Sequence, residues 1–246
     1  MYKILFTILI SFLSVNLVQA GTRDPNVPDS KYINYAKDFH FVGKVCGKYN
    51  DGSAYCASGV AISDYIMITA AHVVDKSESC QFNINNKKCK IKEVIIHKDF
   101  DESKFGLNDI AICISEESFD LKFYPGLYTE RDEIGKVCSI SGYGITGTFN
   151  TGAKFSDDTR RAGSNKIDYI DKQLLICSPS RDNSKTQLEF LIASGDSGGG
   201  LFIDGKLAGI NSCVMANKKS PNSSYGSESG HTRISDHAEW INKALE

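Results

Sequence analysis

Gly200-Leu201-Phe202-Ile203-Asp204-Gly205-Lys206-Leu207-Ala208-Gly209-Ile210-Asn211-Ser212-Cys213-Val214 contains two apolar runs parted by an Asp-Gly pair. Asp-Gly is turn chemistry, so residues 200–203 and 206–214 read as two strands with a turn between them. Working outward, further short β-type runs occupy 41–45, 58–62, 65–69, 91–96, 110–114, 136–141 and 174–177. Many short strands separated by turn signals define an all-β protein, a barrel or a sandwich. Only the last dozen residues read as a helix: Asp236 caps it over roughly 236–245, and Trp240, Ile241 and Leu245 share an apolar face. Residues 116–133 and 144–165 lack a strand pattern; the first joins two halves and the second reads as a surface loop. Residues 217–229 are also loop-like and hold the sequon Asn222-Ser223-Ser224.

The chain has 246 residues, 41% hydrophobic and 24% charged, which is the balance of a globular protein with a substantial core. Its first twenty residues stand apart. Lys3 precedes an apolar run from Ile4 to Val18, and Val18-Gln19-Ala20 offers small residues where a signal peptidase reads, so 1–20 is a signal peptide and 21–246 the mature chain. The run is shorter than the roughly twenty residues a spanning helix requires. The formal charge is −2, and loss of Lys3 makes it more negative, so no basic field for nucleic acid is expected. The expected product is secreted or periplasmic, without stable membrane association.

All eight cysteines lie beyond the leader, an even number in a chain bound for an oxidising compartment, which favours disulfides. No C-x2-C pair supports zinc. Cys46 and Cys56 bracket the turn residues Tyr49-Asn50-Asp51-Gly52, and Cys80 and Cys89 bracket 83–88, so both pairs are expected to face each other across hairpins. The remaining four cysteines allow three connectivities.

Chemistry concentrates in three segments. Gly195-Asp196-Ser197-Gly198-Gly199 places a serine on a tight turn whose backbone N–H groups suit an oxyanion hole. Ile66-Met67-Ile68-Thr69-Ala70-Ala71-His72 sets a histidine after a strand and two small residues, and Asn108-Asp109-Ile110-Ala111 opens a strand with an acid. Singly, each has an ordinary structural explanation: a loop, an exposed histidine, a strand-end Asp.

Together, in the order His, Asp, Ser, the segments resemble the three signature motifs of the chymotrypsin/trypsin family. Gly142-Tyr143-Gly144 after Cys138, Gly209-Ile210-Asn211-Ser212, and Gly230-His231-Thr232-Arg233-Ile234 with Trp240-Ile241 extend the resemblance over roughly 41–241. It implies two six-stranded antiparallel β-barrels, roughly 27–120 and 134–235, with the active site between them and a short C-terminal α-helix. It also implies a monomeric serine endopeptidase acting on protein or peptide substrates without cofactor or metal. His72, Asp109 and Ser197 would form the triad; Gly195 and Ser197 would supply the oxyanion hole; Leu191, Ser212 and Val214 would line the substrate pocket. A catalytically silent homologue is the competing reading, although neither Ser nor His is lost.

Three departures qualify the resemblance. No Ile-Val-Gly-Gly activation end exists, so either Val27 is freed by a second cut to pair with Asp196, or Asp196 is paired internally; Pro28 favours the second. The family's cysteine positions carry Val73, Ala193 and Ile203. Leu191 stands at the pocket base, where Lys/Arg specificity requires an acid, and Val214 replaces an opening glycine, which predicts a preference for small or medium apolar residues. An acidic preference through His231 is the alternative.

Overall fold

The computed structural model describes residues 21–104, 106–216 and 221–245; the expected signal peptide lies outside them. In chain order the strands are β1 (Thr22–Arg23), β2 (Val42–Tyr49), β3 (Ala54–Ala61), β4 (Ile66–Thr69), β5 (Ser77–Ile84), β6 (Lys87–Ile96), β7 (Ala111–Ser115) and β8 (Val137–Gly142). They continue as β9 (Thr146–Thr148), β10 (Gly152–Phe155), β11 (Arg161–Asp171), β12 (Leu174–Cys177), β13 (Phe190–Leu191), β14 (Gly200–Ile203), β15 (Lys206–Met215) and β16 (Glu228–Arg233). Helices α1 (Asp29–Tyr35), α2 (Ala71–Val74) and α3 (Ile234–Leu245) complete the chain with a 3-10 turn at Ala36–Phe39.

Side chains alternate across a strand, and closing the sheet hides one face of every strand. In β5, Cys80, Phe82 and Ile84 are buried while the residues between them are more open. Strands β2-β3-β4-β7-β6-β5 close one barrel and β11-β12-β16-β15-β14-β8 a second, as the sequence led us to expect. Val42, Val60, Met67, Ile68, Phe82 and Ile112 fill the first, and Ile140, Ile167, Leu175 and Leu201 the second. Each such side chain contributes about 1.5–3 kcal/mol on burial. Helix α3 follows the last strand of the second barrel, lies against β15, and buries Ile234 and Ile241 in an apolar cluster shared by both barrels.

Residues 144–165 are not a simple surface loop. They hold β9, β10 and the start of β11, and β9 pairs in parallel with β1, which pairs antiparallel with β13. The Gly, Thr and Asn content masked this sheet because its strands are only a few residues long. Helix α1, also unforeseen, is docked by Arg161, which is buried and donates to Asp29 Oδ1 (2.8 Å) and Oδ2 (2.7 Å) and to Asp157 Oδ2 (2.7 Å). Burying a guanidinium is tolerated because both carboxylates meet it.

Cys46 and Cys56 are directly opposed on β2 and β3 and form a disulfide. The expected Cys80–Cys89 pair is corrected by register. Asn85 and Asn86 both adopt positive φ (50° and 60°), which makes a tight turn opposing Ile84 to Lys87 and therefore Phe82, not Cys80, to Cys89. Cys80 and Cys89 are both buried as free thiols.

Candidate active site

Strand β4 is followed by the wholly buried Ala70 and Ala71, whose small side chains let the chain turn directly into α2, which carries His72. Asp109 follows Asn108, which adopts φ 51°, a conformation Asn tolerates better than most residues. That turn is tethered from elsewhere: the Asn108 amide donates to Gln173 Oε1 (3.1 Å), and His237 Nε2 hydrogen-bonds with Asn108 Oδ1 (3.2 Å).

Asp109 is 3% exposed. Its Oδ2 accepts from Ser212 Oγ (2.6 Å) and lies 2.7 Å from His72 Nδ1, while Oδ1 accepts from the His72 amide (2.9 Å). Burial pushes its carboxyl up, but the His72 hydrogen bond and charge, the Ser212 hydroxyl and the His72 amide together hold it below its ordinary value. An ionised Asp109 fixes the proton on Nδ1 and leaves Nε2 as the free acceptor. The His72 side chain, 37% exposed, borders two hollows, one of about 210 Å³ that also meets Asp109, Ser212 and Cys213, the other of about 440 Å³ beside Tyr49 and Asp75.

Ser197 sits on a turn that requires glycine. Gly195 and Gly198 have φ of 90° and 82°, and a Cβ on Gly198 would stand 2.0 Å from Thr69 Oγ1 and 2.2 Å from the Ser58 carbonyl. That close approach presses the serine turn against the end of β4, just ahead of His72. The Ser58 amide donates to the Ser197 carbonyl (2.9 Å), and Ser58 Oγ donates to the Gly195 carbonyl (2.9 Å). The amides of Gly195 and Ser197 have no acceptor among the described residues.

Asp196 is fully buried. Its Oδ1 accepts from the Gly144 amide (2.8 Å), and its Oδ2 accepts from the amides of Gly21 (2.8 Å) and Ala193 (2.9 Å). Burial drives its pKa up to about 7 against those three donors. Of the two expected arrangements, the donors to Asp196 are amides within the chain, and Val27, the less favoured partner, lies in a turn where its amide donates to the Asp24 carbonyl (3.2 Å). The nitrogen that reaches Asp196 belongs to the residue directly after the expected leader. Gly21 is also sterically demanded: its φ is 50°, and a Cβ would meet the Phe190 ring at 2.0 Å. Nothing in a lone Gly-Thr-Arg segment signals this role.

Of the expected pocket residues, Ser212 joins Asp109 directly, Leu191 is wholly buried in β13 opposite Thr22, and Val214 packs against the second barrel's core. Asn211, which the sequence did not single out, links the site to its support. Its Nδ2 donates to the carbonyls of Ser141 (3.1 Å) and Asp196 (3.2 Å), and its Oδ1 meets His231 Nδ1 (2.8 Å). His231 Nε2 in turn meets Ser229 Oγ (2.9 Å).

Burial lowers the His231 pKa to about 3, so the folded protein holds it neutral. A histidine depressed on folding contributes stability above its unfolded pKa of ~6.5 that is lost as pH falls toward 3, because the unfolded chain takes up the proton first. Urea-unfolding series between pH 6.5 and 4 are expected to show wild-type stability falling faster than that of His231→Gln, by up to about 1.4 kcal/mol per pH unit. Parallel slopes would dismiss His231 as a source of acid lability.

The family model described as Trypsin matches residues 37–241. The chain is 25% identical over 214 residues to a chymase of Papio hamadryas, covering 80% of this chain and 82% of the relative. It is 28% identical over 218 residues to mast cell protease 8 of Mus musculus, with the same coverage. Among solved structures, neuropsin, a serine protease of mouse brain, superposes with a TM-score of 0.67 at 20% identity, covering 91% of this chain and 99% of that one. The two closed barrels are the chymotrypsin fold, and these matches make the protein a serine endopeptidase. The chain belongs to the trypsin family.

Proposed function

We infer that the protein is a secreted, monomeric serine endopeptidase in which Ser197 attacks the scissile carbonyl. His72 takes the serine proton through Nε2 and returns it to the leaving amine, and Asp109 orients the imidazole and offsets its charge. The amides of Gly195 and Ser197 hold the oxyanion. The observation that carries this reading is the double attachment of His72 to a buried Asp109, at 2.7 and 2.9 Å, beside a glycine turn bearing the serine. Removal of residues 1–20 leaves Gly21 as the first residue, and its ammonium replaces a neutral amide donor at Asp196 with a full charge.

For specificity, Leu191 offers no acid to a basic side chain, and both ring nitrogens of His231 are engaged by Ser229 and Asn211. These features support small or medium apolar residues on the acyl side of the cut bond. A serine-directed phosphonate should label the protein at Ser197, and a peptide library should yield cuts after apolar residues. No labelling would refute the mechanism, and robust cleavage after Arg would refute the specificity.

A further inference from the structure

A groove of about 620 Å³ runs beside the site, its walls including Lys44, Lys87, Lys88, Arg160, Tyr143 and Asp158. Four cationic side chains against a single carboxylate make a basic patch on a chain whose formal charge is −2. Lys44 pairs with Asp158, and Lys87 with Asp120, which lies outside the groove lining. Lys88 is exposed and has no acidic partner among the described residues. The Arg160 guanidinium lies 5.9 Å over the Tyr143 ring and donates to the carbonyls of Val42 (2.7 Å) and Ala36 (3.1 Å), and it has no carboxylate partner among the described residues.

The groove reaches the reacting centre through Tyr143. Its amide donates to Ser58 Oγ (2.9 Å), which donates to the Gly195 carbonyl, while the Ser58 amide holds the Ser197 carbonyl. Ser212 and Cys213 lie on the opposite side, in the hollow shared by His72 and Asp109. A substrate whose acyl side follows β15 therefore leaves the cleft past Ser58 and Tyr143, toward the lysines. From this placement we propose that the groove binds acidic residues of the substrate downstream of the cut bond, making the enzyme selective for sites followed by Asp or Glu. The inference rests on the cleavage reading given above.

The test is a set of matched peptides that share one cut site and carry Asp-Glu, Ala-Ala or Lys-Arg at the second and third positions after it. At low salt the acidic peptide should be cut about three- to tenfold faster than the neutral one in kcat/KM, and the basic peptide more slowly. The ratio should shrink toward unity at 0.5 M salt, because exposed charges are screened. In Lys87→Glu/Lys88→Glu the order of acidic and basic peptides should reverse, the neutral peptide serving as the internal reference for folding. Equal rates for all three peptides, a preference that ignores salt, or an unchanged order in the double variant would overturn the groove assignment. Failure to cut any of them would overturn the cleavage reading itself.

Discussion

Ser197→Ala is expected to lower kcat by about 10⁵- to 10⁶-fold while leaving the fold and the binding of peptide substrates largely intact. The size follows from the way the site is assembled. His72 is oriented by Asp109 and Ser212 whether or not the serine is present, so the variant keeps its acceptor and its oxyanion donors but has no nucleophile to form the acyl-enzyme. Residual hydrolysis would have to come from water. The measurement is kcat and KM on one apolar-site peptide for both proteins, with the near-ultraviolet circular dichroism spectrum as the check on folding. Equal turnover would remove Ser197, and with it the whole assignment.

The second large effect lies 175 residues away in sequence, where the Gly21 nitrogen meets Asp196 at 2.8 Å. A chain starting at Gly21 should be fully active, whereas one carrying a single extra residue ahead of it should lose about 10²- to 10³-fold in kcat/KM, the loss seen when an oxyanion donor goes out of place. The reason is electrostatic and steric. Asp196 is buried among amides, with no cationic side chain hydrogen-bonded to it, and the Phe190 ring leaves no room beside Gly21. Gly21→Val should therefore behave like the extended chain, and Phe190→Ala should restore part of what Gly21→Val removes. Mass-spectrometric reading of the mature end alongside kcat/KM decides it; full activity in the extended chain would reject the role of the ammonium.

The strands were legible because their signals are local, whereas the two barrels and the pairing of His72 with Asp109 were expected from the resemblance. Alternating apolar runs mark strands wherever they pair, and Asp109 and His72 each sit at the edge of such a run. What stayed hidden depends on partners distant in the chain. The two-residue β1 becomes a strand only because β9 and β13 flank it, and Arg161 is a buried clamp only because Asp29 arrives from α1. The Cys80–Cys89 expectation failed for a related reason: spacing brackets a turn, but the left-handed Asn85-Asn86 pair sets the register and shifts the facing residues by two. Asn211 entered only as one residue of the Gly209–Ser212 motif, with no role of its own, since its three side-chain hydrogen bonds span carbonyls and a ring that sequence proximity does not connect.

Helix α3 bears on the order in which the molecule comes into being. Ile234 and Ile241 join the apolar cluster shared by the two barrels, and His237 reaches Asn108 across 129 residues to steady the turn that carries Asp109. The turn ahead of Asp109 therefore gains this tether only once the last helix has been made. A chain still lacking α3 holds Asp109 on a turn whose Asn108 the Gln173 contact alone steadies from a distant part of the sequence.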